Sequence, residues 1–176
     1  MKKILLVAGA AMALAGCGDK WDFEKAINDK IGQDKYCFSL DNNNTSFPIR
    51  LAKPRLDSTG TGTNSVILDG FIEQGMMVFE QGYDSNVLGI TEEGKKAKVW
   101  STTDGACVGR RAVDEIKEWT EPGNGNQKVV RVSYTWKLVD VPGWIDKRAF
   151  SSVKGMNEPA DGAMNLVKTS NGWRAN

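Results

Sequence analysis

The sequence predicts an α+β fold in which N-terminal helices precede a C-terminal antiparallel sheet. Three observations carry that prediction. Phe23, Ile27 and Ile31 recur four residues apart, the spacing of one helical face. Residues 129–139 alternate, with Val130, Val132, Tyr134, Trp136 and Leu138 on one side and Arg131, Ser133, Thr135 and Lys137 on the other, which is the pattern of a half-buried strand. Asn171-Gly172 divides two apolar runs near the chain end, a strong hairpin signal.

Taken in order, residues 19–35 form an amphipathic helix with Lys25, Asp29 and Lys30 away from the apolar face, Asp19 or Asp22 as its cap and Gly32 near its end. Tyr36-Cys37-Phe38 precedes a turn-rich stretch over 41–46, and a short strand is expected over 47–53. Between 54 and 64 the Ser, Thr and Gly content offers nothing to pack, so a loop is expected. Asn64 or Ser65 caps a second helix, in which Leu68, Phe71 and Ile72 share a face and Gly75 is the stop. Short strands follow at 76–79 and 87–90 around a turn at Gly82, then a short helix from Thr91 toward Trp100. Residues 107–119 mix apolar and charged side chains without a clear period, and 121–126 read as a turn. After the strand at 129–139, Pro142-Gly143 breaks the chain, and a loop with Gly155, Pro159 and Gly162 leads to the terminal hairpin.

Ahead of all this, Lys2 and Lys3 precede an apolar run over 4–14 that is too short to span a bilayer, and the run closes in Leu14-Ala15-Gly16-Cys17. This stretch resembles the signal of bacterial lipoproteins. The resemblance implies that residues 1–16 are a removed leader and that Cys17 is diacylated and becomes the first residue of the mature chain. Two or more acyl chains, each stabilised by about 0.8 kcal/mol per buried methylene, hold a protein on a bilayer almost permanently. Residues 17–176 are then one domain tethered through Cys17, with helical (19–100) and sheet (101–176) halves. Gly18 rather than aspartate follows the cysteine. In the sorting that the resemblance implies, this favours the outer membrane, facing the periplasm, over the inner membrane.

Two further resemblances are local. Residues 65–100, with a helix ending in glycine, a strand pair and Ile90-Thr91-Glu92-Glu93-Gly94-Lys95-Lys96, resemble a winged-helix module. Such modules bind DNA in transcription factors. Here the expected recognition helix carries Asp69 and Glu73 and no Lys or Arg, so no nucleic-acid partner is expected. Cys-Val-Gly at 107–109, Trp-Thr-Glu-Pro at 119–122, Tyr-Thr-Trp at 134–136 and Gly-Trp-Arg at 172–174 resemble small bacterial lipoproteins that carry no transferable activity.

The formal charge is +1, and loss of Lys2 and Lys3 with the leader would make it about −1, so no strongly charged partner is implied. Besides Cys17 the chain has Cys37 and Cys107. In an oxidising compartment an even remainder predicts one disulfide, with a pair of buried thiols as the alternative. There is no histidine, which removes Ser-His-Asp and Cys-His nucleophiles and histidine-ligated metals; no metal or other cofactor is expected.

What chemistry remains is sparse. Asp114, Glu115, Glu118 and Glu121 could supply a carboxylate pair, but their clustering with Arg110, Arg111 and Lys117 fits a solvated, ion-paired face. Ser151 and Lys154 have the Ser-x-x-Lys spacing in a loop context, and the glycines of 57–63 lack the lysine of a phosphate-binding loop. The sequence therefore predicts a non-enzymatic, lipid-anchored envelope protein that touches the membrane through Cys17 and binds a protein or envelope partner. One alternative is an inhibitor or immunity protein against a periplasmic enzyme, using loops 54–64 or 144–150 as plugs. A carboxylate-dependent glycan hydrolase is the other.

Overall fold

A computed structural model describes residues 15–40, 46–52, 63–121 and 128–176. Three helices and eight strands occur among them: α1 (Ala15–Ile31), β1 (Lys35–Phe38), β2 (Ile49–Ala52), α2 (Thr63–Glu73), β3 (Met77–Gln81), β4 (Ser85–Ile90), α3 (Glu92–Ala97), β5 (Ala106–Trp119), β6 (Val129–Val139), β7 (Ala160–Thr169) and β8 (Gly172–Ala175). Five strands form a curled antiparallel sheet in the order β1-β5-β6-β7-β8, and three form a smaller antiparallel sheet in the order β2-β4-β3.

The expected division into leading helices and a trailing sheet is corrected by this arrangement. The protein is mostly sheet, and its N-terminal half holds four of the eight strands. β1 belongs to the large sheet, where Cys37 lies opposite Cys107 of β5 and is joined to it by a disulfide. The region compared with a winged helix contains most of α2, the β3–β4 hairpin and α3, and β2 completes a second sheet there.

β5 pairs with β1 on one side and β6 on the other, and its irregular sequence pattern has a local cause. Register shifts between Val113 and Glu115, and again between Ile116 and Glu118, interrupt the alternation that a straight strand would show. β6 has no such interruption within its pairing to β7, and its alternation is the one the sequence displays.

Two hydrophobic clusters share the strands of the large sheet. In one, Phe23, Ile27 and Ile31 of α1 pack on Val113, Ile116, Val130, Val132 and Leu166. In the other, α2 contributes Ile67 and Phe71, the small sheet Met77 and Leu88, and the connection between β6 and β7 Phe150, Val153 and Met156. Trp136 packs against both clusters, and Gly155, at φ +77°, lies flat on its ring where a Cβ would overlap it. Gly70 of α2 is held equally close to the Phe150 ring. Gly70→Ala is therefore expected to destabilise the fold by about 1–3 kcal/mol through overpacking, read as a lower denaturant midpoint.

Candidate functional site: the groove between the first helix and the last strand

α1 crosses the inner face of the curled sheet and stops beside the sheet's last strand. Its apolar face seats Phe23 edge-on between two indoles, with ring centroids 5.5 Å from Trp119 and 5.2 Å from Trp173. One polar bond sets the position of the other end of the helix. The Val113 amide, at the first irregularity of β5, donates to Asn28 Oδ1 at 2.8 Å. Asn28→Ala would leave that half-buried donor unpaired, so a loss of about 1–3 kcal/mol is expected in denaturant unfolding, with Asn28→Asp, which keeps the acceptor, costing less. At Gly32 the helix ends, its amide donating to Asn28 O at 2.9 Å.

Between this end of α1 and β8 lies an open groove of about 690 Å³. Asn28, Asp29, Lys30 and Gln33 line the helix side; Trp173, Arg174 and Ala175 line the strand side. Asp29, the one carboxylate among the groove's described residues, is engaged by Lys25 at 2.7 Å. Lys30 and Arg174 are exposed and have no ion-pair partner among the described residues. One of these lining residues is aromatic. Trp173 buries its indole Nε1 without a hydrogen-bond partner among the described residues, and Lys168 Nζ lies 5.0 Å from its ring centroid.

Just past the end of α1, at the seam of the two clusters, Arg111 lies 5.9 Å from the ring centroids of both Tyr36 and Trp136. Its Nε is buried and unpartnered among the described residues. Burial pushes the neighbouring Tyr134 phenol up, and the Arg111 charge works against that shift. The arrangement holds the guanidinium by cation–π attraction rather than by a carboxylate.

The side chains singled out in the sequence fall in different places. Cys37 and Cys107 form a disulfide with Cα atoms 3.9 Å apart, across a chain separation of 70 residues. Position 17 lies in the first turns of α1. Of the candidate carboxylates, Asp114 pairs with Lys137 at 2.8 Å, and Glu115, Glu118 and Glu121 are exposed. Arg110 pairs with Asp140 and Lys117 with Asp161, so these two cations of β5 find partners outside their own strand. Ser151 and Lys154 are both exposed in the turn-rich connection after β6. Residues 1–14, most of the 54–64 loop and the turn at 122–126 lie outside the described residues.

The 144–150 segment is bolted to α2. Gln74 Nε2 donates to Trp144 O at 2.7 Å, and its Oε1 accepts from the Asp146 amide at 3.1 Å. Arg148 hydrogen-bonds Asp146 and holds that carboxyl at about 2, while Lys35 hydrogen-bonds Asp104 and lowers its carboxyl as well. Both shifts run opposite to that of a carboxylic acid kept protonated for proton donation at neutral pH. Among the described residues there is no group of three or more Cys, Asp or Glu placed to hold a metal ion, and no helix long and apolar enough to cross a membrane.

The chain matches no protein-family model, no curated protein and no solved structure. The groove is therefore read from its own residues. Sequence reasoning missed Asn28 and Trp173 as site residues, because their roles depend on contacts with β5 and α1 that no local pattern encodes. Arg111 was visible only as one charge in a run, and its separation from the carboxylates of the described residues is a property of the folded sheet.

Proposed function

We propose that this protein is a non-enzymatic, lipid-anchored envelope protein that holds a protein or envelope partner in the groove between α1 and β8. The observation that carries the reading is the groove itself: an open volume of about 690 Å³, with Trp173 in its lining and two exposed cations, Lys30 and Arg174, left without ion-pair partners among the described residues. Its size falls within the range of roughly 300–1,000 Å³ common to sites for small molecules or short segments. One carboxylate in the groove, already engaged by Lys25, supports binding over glycoside hydrolysis, which uses two facing acids.

The address rests on Leu14-Ala15-Gly16-Cys17 and on the Cys37–Cys107 bridge, which suits an oxidising compartment outside the cytosol. In this reading α1 has two jobs. Its first turns contain the acylated Cys17 and its last turns wall the groove, so the helix sets the spacing between anchor and groove. From position 17 to Ile31 the helical rise amounts to about 21 Å.

The mass of the full-length protein extracted from bacterial membranes tests the anchor. The reading expects loss of residues 1–16 and added acyl mass on the peptide that begins at Cys17. An intact leader with an unmodified thiol would overturn it.

A further inference from the structure

β8 is the outermost strand of the large sheet, and the register of the hairpin fixes which of its backbone groups face the open side. The Lys168 amide donates to Lys128 O at 2.9 Å, so Lys168 bonds toward β6 and its opposite number, Trp173, is a non-hydrogen-bonded pair in the β7–β8 ladder. The Asn176 amide donates to Asn165 O at 3.1 Å, which puts Asn176 in phase with Arg174, both bonding toward β7, and leaves Ala175 between them facing outward. The N–H and C=O groups of Trp173 and Ala175 therefore point away from β7, and both residues line the groove.

An open strand edge bordered by a helix is a template for an added strand. The flanking charges select its composition. Lys30 on the helix side and Arg174 on the strand side are both exposed and unpaired among the described residues, while Asp29 is already neutralised by Lys25. We propose that an extended, acidic segment of a partner protein adds to β8 as a sixth strand, pairing its backbone with Trp173 and Ala175 and placing carboxylates near Lys30 and Arg174. This rests on the groove being the working site, and it names the partner class and the mode of binding. The four residues of β8 span about 14 Å, enough to register two pairs of backbone bonds. Affinity then comes from the backbone, and discrimination from the sign of the alternate side chains.

The test uses residues 17–176, uniformly 15N-labelled, and three blocked hexapeptides. The probe is Glu-Glu-Val-Glu-Glu-Val, which carries glutamate on both faces of an extended strand, a second replaces glutamate by lysine, and a third keeps the acidic sequence but N-methylates alternate amides. With the acidic probe, exchange of the Trp173 and Ala175 amides is expected to slow about tenfold. The lysine and N-methylated peptides are expected to leave it unchanged. Combining Lys30→Glu with Arg174→Glu is expected to weaken the acidic probe about tenfold, and more at low salt than at high salt.

Several results would overturn the inference. If the acidic probe shifts the side-chain amides of Asn28 and Gln33 without protecting Trp173 and Ala175, strand addition is wrong although the groove still binds. If neither set responds at millimolar peptide, the inference and the groove reading both fail. If both backbone amides are already protected without peptide, and sedimentation shows a dimer at the same concentration, the added strand is a second copy of this chain and the acidic partner is wrong.

Discussion

Breaking the Cys37–Cys107 bridge, by reduction or by replacing both cysteines with serine, is expected to remove about 4 kcal/mol of unfolding free energy. The size comes from the loop. Joining residues 70 apart in the chain restricts the unfolded ensemble strongly, and on the chain-entropy argument a loop of that length is worth about 4 kcal/mol. The position of the bridge adds a local consequence. β1 has only four residues and lies at the edge of the sheet, paired to β5 alone. Lys35 also ties it to Asp104 at 2.6 Å, but both partners are substantially exposed and such pairs stabilise little. Without the disulfide, β1 should fray before the rest of the sheet, so amides of Tyr36 and Phe38 should exchange faster than those of β6. Denaturant midpoints with and without reductant, read with amide exchange, check both statements. An unchanged midpoint would show that the rest of the sheet holds β1 without the bridge.

Phe23→Ala is expected to cost about 3–5 kcal/mol, the range for emptying an aromatic site in a packed core. Phe23 is 2% exposed and fits edge-on against both Trp119 and Trp173, so its loss opens a hole where α1, β5 and β8 meet. The effect reaches the groove. Trp173 lines the groove, and with Phe23 gone one of its ring contacts disappears. Phe23→Leu refills most of the volume and should cost less than half as much. Urea unfolding of both variants, followed by tryptophan fluorescence, is the check. A loss below about 1 kcal/mol for Phe23→Ala would mean that α1 is not anchored through this contact.

Much of the secondary structure can be read from the chain because it depends on local pattern. The spacing of Phe23, Ile27 and Ile31 marks α1, and all three are buried. Alternation over β6 gives the inward residues Val130, Val132, Tyr134 and Leu138, and Asn171-Gly172 marks the β7–β8 turn. The fold class was not legible, for two physical reasons. β1 is only four residues, too short for alternation to distinguish from loop, and the short strands expected over 47–53, 76–79 and 87–90 carry no local signal that they pair into a sheet of their own, so the N-terminal half reads as helical rather than mixed. β5 hides its period behind two register shifts, so its 14 residues look ambiguous although they form the longest strand of the described structure.

The two cysteines were legible as a bridge from their number. That the bridge fastens an edge strand is a fact of register. For the groove the signal is weaker still. Lys30 and Arg174 are ordinary surface charges in sequence, more than a hundred positions apart, and they become one site only because α1 runs across the sheet to its last strand. Asn28 reads as a polar residue on a helix. Its importance lies in the β5 amide that it caps.

The measurement that bears most directly on the account is site-specific photo-crosslinking in intact cells carrying the full-length protein. A photoreactive residue at position 174 reports on the groove; the same residue in place of the exposed Glu118 reports on an outward-facing stretch of β5. A groove that holds a partner predicts one adduct of discrete mass from position 174, none from position 118, and loss of the adduct when Lys30→Glu is added. No adduct from position 174, or the same adducts from both positions, would contradict the claim that the groove between α1 and β8 is where this protein binds.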